Sequence, residues 1–315
     1  MSTPAKKPGT LSSKSTSSRR SRLYWGVPAV LVALVLLVLL AKWLVSLDAV
    51  AAFLRDYPGH SNLPEGAPVG FPAWLGWQHF LNGFFLLLII RSGWQVRTTT
   101  RPSGRWTRNN RGFLRTKRPP TTITLELWFH LLLDALWIIN GVVFAILLFA
   151  TGQWMRIVPT SWDVFPNALS AALQYASLNW PTENGWINYN ALQLLAYFVT
   201  VFIAAPLAFI TGLRMSAAWP ASAKGLNKAY PIELARAIHF PVMIYFVAFI
   251  VVHVFLVLAT GALRNLNHMY AGTDGEGWLG FWLFLASVAA MAAAWFLARP
   301  IFLRPIASLM GKVSR

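Results

Sequence analysis

Apolar residues run along the chain in long blocks separated by polar ones. Blocks long enough for the hydrocarbon core of a bilayer, about 18 residues or more, fall at 24–47, 74–91, 125–150, 191–213, 237–260 and 278–298. Strands are not evident between them, and no Gly-rich phosphate loop or internal repeat stands out. The pattern predicts an all-α membrane protein with six transmembrane helices. Residues 1–23, rich in Ser, Thr, Lys and Arg without an apolar period, read as a disordered basic tail. The run at 24–47 reads as an N-terminal transmembrane anchor. Ala49-Val50-Ala51 offers a small-residue cleavage pattern. That site lies well beyond the apolar stretch ending near Leu40, with Lys42 and Trp43 between, so an uncleaved anchor is favoured. Either way residue 52 begins outside.

Composition agrees. Apolar residues make up 56% of the 315 and charged residues 12%, about half the soluble average of roughly 25%. So few charges could not cover a water-exposed surface. The absence of Cys excludes disulfides, thiolate zinc sites, cysteine-ligated clusters, thioether-attached haem and cysteine nucleophiles. Redox chemistry would have to run on a cofactor held by other ligands.

The net charge of +17 suggests a nucleic-acid binder until its distribution is read. Six spans put both termini on one side, together with the loops 92–124 and 214–236 and the tail 299–315. Counting Arg91 at its helix end, these segments and the N-terminal tail hold 23 of the 27 Lys and Arg. The other side keeps Lys42, Arg55, Arg156 and Arg264 and most of the acids, including Asp48, Glu65, Asp163, Glu183 and Asp274. This bias predicts a multi-pass protein of the cytoplasmic membrane with both termini cytoplasmic. The basic segments are matched to anionic membrane lipid, and no nucleic acid is expected.

The informative residues are histidines. Four of six lie within spans: His79, His130, His239 and His253. Ionisable groups at membrane depth are costly and point to function. His239 and His253 share a helix; fourteen residues fall about 40° short of four full turns, so both leave nearly one face, roughly 21 Å apart along the axis. That is too far for one metal ion and suits two cofactors stacked across the bilayer. The 74–91 helix descends from outside, which puts His79 at the depth of His253. The 125–150 helix ascends from inside, which puts His130 at the depth of His239. Two histidines per iron, in apolar helices without thiolates, describe bis-histidine haem b. A mononuclear zinc or iron enzyme wants three or four ligands at one depth. The expected cofactors are therefore two haem b, with His79, His253, His130 and His239 as axial iron ligands.

Smaller features carry alternatives. Gly83 and Gly141 would leave room for a flat macrocycle or serve close helix packing. Arg91 and Arg236 could pair with haem propionates or simply anchor the interface. Asp134, one turn after His130 on the same face, is a possible proton or quinone site; a hydrogen bond to Asn140 or a neighbouring helix is the plainer reading. The outside loop 151–188, with Trp154, Trp162, Trp180 and Trp186 and Pro159, Pro166 and Pro181, reads as part of the interfacial aromatic belt or a docking surface for a redox partner. His60 and His268, in outside loops, read as ordinary surface residues, with contact to a partner or quinone as the alternative.

Several motifs resemble a known family. Ala235-Arg236-Ala237-Ile238-His239-Phe240, running on to Val252-His253-Val254 and Gly261, resembles the fourth core helix of the membrane cytochrome b subunits grouped with thiosulfate reductase. These are relatives of the formate dehydrogenase and nickel–iron hydrogenase cytochrome b subunits, in the bacterial cytochrome b561-like group. Leu194-Leu195-Ala196-Tyr197, Ala205-Pro206-Leu207 and Thr211-Gly212-Leu213-Arg214-Met215-Ser216 resemble the third helix of that family. Phe129-His130 with Asn140-Gly141 resembles the second, and Gln78-His79-Phe80-Leu81-Asn82 with Ser92-Gly93 the first. The resemblance covers roughly residues 74–270 and implies a four-helix di-haem core, set at 74–261; the apolar pattern adds a transmembrane helix at 278–298 and the charge distribution a cytoplasmic tail at 299–315. It also implies electron exchange between quinone and a separately encoded oxidoreductase subunit, a molybdopterin enzyme being favoured. The chain departs from the family in the helix at 24–47, which sets the His79 helix running opposite to the formate dehydrogenase arrangement. A respiratory bc-type cytochrome b would need two helices with a histidine pair each, and only one has it. A transporter or channel with polar intramembrane residues and no haem is the alternative from another class, with Asp134 as its best support.

Overall fold

The computed structural model describes residues 15–111, 115, 119–180, 184–220 and 222–314, with side chains from Tyr24 onward. Residues 1–14 of the expected tail, and Pro181 and Glu183 of the long loop, lie outside the described residues. From Ser15 the backbone is already helical, so the first helix starts earlier than its apolar run.

Among the described residues six helical segments are long and apolar enough to cross a membrane: Tyr24–Val45, Ala73–Thr98, Leu125–Ala150, Ala191–Met215, Ile232–Ala259 and Leu279–Leu297. The all-α membrane class and the six spans are as the sequence pattern expects. These spans are α1 (Ser15–Val45), α3 (Ala73–Thr98), α4 (Leu125–Ala150), α6 and α7 (Ala191–Phe198 and Ala205–Met215), α9 (Ile232–Ala259) and α11 (Leu279–Leu297). Their outward faces carry exposed Ile139, Ile146, Val251 and Phe255, the face a helix shows to lipid.

Two helix pairs make the interior. Against α3, α4 buries Leu125, Trp128, Phe129 and Leu133 beside Leu88. Against α9, the fourth span packs Ala204 with Val242 and Phe246. That span is one helix interrupted by a π-turn at Val199–Ala204. Pro206 follows it; proline has no N–H and crowds the carbonyl four residues back, and a wider turn relieves both. Thr200 holds the turn, its hydroxyl 2.7 Å from both the Ala196 carbonyl and the Tyr245 hydroxyl.

Each end of the bundle has a layer that the hydropathy pattern does not anticipate. On the face away from the termini lie α2 (Asp48–Asp56), a 3-10 turn at Gln153–Arg156, α5 (Val164–Ala176) and α10 (Ala262–Leu266), which runs into a π-turn at Asn267–Ala271. Gly280 admits this last turn against α11: a Cβ there would overlap the backbone of Asn267, whose side-chain oxygen accepts the Gly280 N–H at 2.7 Å.

On the terminal face three strands form a small antiparallel sheet, correcting the expectation that strands are absent. β1 (Arg105–Arg108) lies between β2 (Thr122–Thr124) and β3 (Gly311–Ser314), with Trp106 opposite both Ile123 and Val313. The short α8 (Lys224–Ala229) joins the fourth span to α9. Between α11 and β3, α12 (Pro300–Met310) buries Leu303 and Ala307 against the start of α4. The Trp106 indole N–H donates to the Ala307 carbonyl at 3.0 Å. The tail at 299–315 is thus an ordered helix and strand through Ser314.

Candidate functional site

The four span histidines meet in two pairs. His79 of α3 faces His253 of α9, ring centres 6.1 Å apart. His130 of α4 faces His239 of α9, ring centres 6.4 Å apart. Two imidazoles facing each other across one metal ion have ring centres roughly 6.4 Å apart, given metal–nitrogen bonds of about 2.0–2.1 Å and a ring centre about 1.2 Å behind its nitrogen. Both spacings therefore fit a metal with two axial histidines. Among the described residues no three His, Cys, Asp or Glu converge as a metal site would need, so the remaining ligands would have to come from a macrocycle.

The His130–His239 pair has supports that sequence reasoning missed. The Ser92 hydroxyl lies 2.9 Å from His130 Nδ1 and 3.1 Å from the Ile89 carbonyl. A hydroxyl has one proton. If it donates to the carbonyl, it accepts from Nδ1–H, and the ring keeps a free lone pair on Nε2. Thr211 repeats this on the other side: its hydroxyl lies 2.6 Å from the Leu207 carbonyl and 2.7 Å from His239 Nδ1. Both residues are fully buried. Holding Nδ1–H while leaving Nε2 free is how metal-binding histidines are oriented. Each hydroxyl precedes a glycine, and at Gly93 the absent Cβ lets the ring approach closely. A Cβ on Gly93 would stand 3.2 Å from His130 Cε1, and one on Gly212 3.6 Å from His239 Cε1. The signal was in the sequence as two hydroxyl-glycine steps, Ser92-Gly93 and Thr211-Gly212. At Gly83 and Gly141 a Cβ would meet nothing within 4 Å.

The His79–His253 pair is instead enclosed by rings. His253 stacks on Phe249 at 5.5 Å, Tyr197 meets it edge-on at 6.1 Å, and Tyr270 meets His79 edge-on at 5.8 Å. His79 Nδ1 is buried without a hydrogen-bond partner. An orphaned ring nitrogen beside a second histidine suits a ligand set whose other member is not protein.

Asp134 lies beside this chemistry, its Oδ2 3.6 Å from His130 Nε2. Of the plainer reading, a hydrogen bond to Asn140 or to a neighbouring helix, neither form is found among the described residues, and the Asn140 amide nitrogen is itself buried without a partner. Arg91 rests over the Trp295 ring at 4.9 Å, while Arg236 is exposed. His60 is exposed as expected. His268 is not a surface residue: 3% exposed, it stacks on Phe71 at 5.9 Å, touches Trp186 at 5.3 Å and hydrogen-bonds Asp274 at 2.8 Å. Burial lowers its pKa below the ordinary histidine value. The π-turn folds it inward, between rings that lie far from it in the sequence.

Fold and site define a class: a membrane-embedded helical bundle with paired interior histidines suited to a flat iron cofactor. Within that class, residues 70–272 match the family model described as prokaryotic cytochrome b561. The chain belongs to this family and is a membrane haem b electron-transfer protein. Membership sets aside the transporter or channel reading. No curated protein and no solved structure matches the chain.

Proposed function

We propose that the chain holds two haem b groups, one between His79 and His253 and one between His130 and His239, within a core at 74–261 that links the quinone pool to a separately encoded oxidoreductase. The observation that carries this is the pair of cross-helix histidine spacings, 6.1 and 6.4 Å, on three helices of one bundle. Bound there, haem b supplies a one-electron ferric–ferrous couple. The chain's own work is to hold each iron with two imidazoles, to keep His130 and His239 in the Nδ1–H form through Ser92 and Thr211, and to exclude water from the apolar interior. Asp134 is the residue we assign to proton movement at quinone, because it is the carboxylate beside His130. A molybdopterin enzyme is the partner favoured by the resemblance of the histidine motifs. Both termini are assigned to the cytoplasm on the distribution of Lys and Arg.

The test is the reduced-minus-oxidised spectrum of single and double variants, with haem normalised to folded protein. His79→Ala and His253→Ala should each remove the same spectral component, and together no more than that one. His130→Ala and His239→Ala should behave likewise for the other component. A His79→Ala/His239→Ala double should lose both; if it kept one intact haem while His79→Ala/His253→Ala kept none, the pairing would be wrong. Asp134→Asn with both haems and full quinol-dependent haem reduction would remove the proton role. Mild detergent extraction from the native membrane identifies the partner by what copurifies.

A further inference from the structure

One cation in the layer above His79 and His253 has no anion among the described residues. Arg156 closes the 3-10 turn that follows α4 and is 1% exposed. Its two terminal nitrogens donate to the carbonyls of Gly70 and Gly185, each at 2.6 Å. Its guanidinium lies 4.9 Å from the ring centres of both Phe71 and Tyr189. Nε is buried without a partner. Among the described residues no carboxylate lies within ion-pair distance of it. Asp274, the acid that lies against His268, is taken by His268, Asn184 and the part-exposed Arg264. Nor is Tyr189 the missing anion, since burial pushes its phenol pKa up and keeps it protonated.

A buried charge with only neutral partners is strongly destabilising unless something supplies the opposite charge. The position of Arg156 limits what that can be. Gly70, whose carbonyl it holds, lies three residues before α3, and His79 lies six residues into α3, about 9 Å along the axis. The Tyr189 ring is 5.1 Å from Tyr197, and Tyr197 is 6.1 Å from His253. Arg156 thus lies at the N-terminal end of α3, beside the start of the fourth span, with the Tyr189 and Tyr197 rings between it and His253. Haem b is an apolar disc with two carboxylates on one edge. Arginine is the side chain suited to receive them, being always charged and rich in donors.

We propose that Arg156 is the buried counter-charge for a carboxylate of the haem held between His79 and His253. The proposal rests on the reading of those residues as axial ligands. A positive charge at this point favours the more electron-rich iron, so Arg156 raises the potential of this haem and tightens its retention.

The experiment is a redox titration of both haem components in detergent-solubilised holoprotein, with a thermal melt alongside. Arg156→Gln should lower the potential of the component that depends on His79 and His253, speed its transfer to a haem acceptor, and leave the other component unchanged. Arg156→Lys should restore most of the shift. Gln153→Ala removes a neutral 3.3 Å hydrogen bond to the same Gly70 carbonyl and should move neither component. In a His79→Ala/His253→Ala chain, Arg156→Gln should no longer lower the melting temperature. An equal loss of melting temperature in both backgrounds would make Arg156 a loop tie and overturn the proposal. So would an Arg156→Gln potential equal to wild type, or a Gln153→Ala shift of equal size. If wild type has no component that depends on His79 and His253, the ligand reading itself fails; if it has one and Arg156→Gln does not move it, only the role of Arg156 fails. A shift produced by a free anion instead of the haem carboxylate would vary with buffer anion at fixed ionic strength, and that outcome also overturns the proposal.

Discussion

Ser92 and Thr211 show how much of a buried imidazole's chemistry is decided by one neighbouring proton. Each hydroxyl has a backbone carbonyl and an Nδ1 within reach, and donating to the carbonyl leaves it only the acceptor role toward the ring. Ser92→Ala or Thr211→Ala should weaken retention of the haem assigned to His130 and His239 by about 10–100-fold, the usual scale for such partners. Because the lost hydrogen bond also makes the imidazole a poorer donor to ferric iron, the potential of this component should rise while the other stays. Unchanged potential and retention in both variants would make the hydroxyls simple helix back-bonds. Gly93 and Gly212 give a graded companion. Alanine at 93 meets the His130 ring at 3.2 Å and forces a shift, whereas alanine at 212 meets His239 at an ordinary 3.6 Å. Gly93→Ala should therefore broaden or diminish the His130–His239 component in the difference spectrum, and Gly212→Ala should nearly spare it. The histidines were legible in the sequence because helix periodicity fixes both the direction and the depth of His239 and His253. Their hydroxyl partners were not, because a serine or threonine in an apolar helix ordinarily bonds its own backbone.

Among the elements, the six spans were legible and the two connecting layers were not, for a common physical reason. A span announces itself by some twenty apolar residues in a row. Strands of three or four residues, such as Thr122–Thr124 and Gly311–Ser314, are too short for a periodic signal, and the pairing of Gly311–Ser314 with Arg105–Arg108 joins segments just over two hundred residues apart. The π-turn at Asn267–Ala271 is similar: nothing local marks His268 as buried, since Phe71 and Trp186 supply its walls. Burial has a measurable consequence there. The folded pKa of His268 lies below its ordinary value of 6.5, chiefly through desolvation, so the unfolded turn binds a proton more readily than the folded one. Its contribution is full above pH 6.5 and declines as pH falls toward the lowered folded value, with a limiting slope of about 1.4 kcal/mol per pH unit. Asp274, its pKa lowered first by the hydrogen bond from His268, has the same sign and acts below the ordinary carboxylate range. Hydrogen exchange through 262–278, corrected for intrinsic rate, should therefore be faster at pH 5.5 than at pH 7.5, and His268→Gln should flatten the difference. A pH-independent profile in the unsubstituted chain would remove the argument.

At the scale of the whole molecule, charge and span number together make one claim about direction. Six spans return the chain to the face it started from, and the loops and tails on that face hold nearly all of the Lys and Arg. Crossing with those charges on the far side would oppose the membrane potential and forfeit anionic headgroups. The terminal face should therefore be cytoplasmic, with α3 descending into the membrane from outside and α9 rising toward it. The chain has no cysteine, so single cysteines report without background. Ser161 and Thr273 are exposed on the far face, and Thr100 and Ser222 on the terminal face. In intact spheroplasts an impermeant maleimide should label Ser161→Cys and Thr273→Cys but reach Thr100→Cys and Ser222→Cys only after permeabilisation. These positions alternate along the chain across α4, the fourth span and α9, so the result checks the crossings as well as the direction. The reversed pattern would invert the molecule and place the His130–His239 pair toward the outside. A mixed pattern, with Thr100 and Ser161 labelled together, would mean that α4 does not cross, and the depth argument that pairs His130 with His239 would go with it.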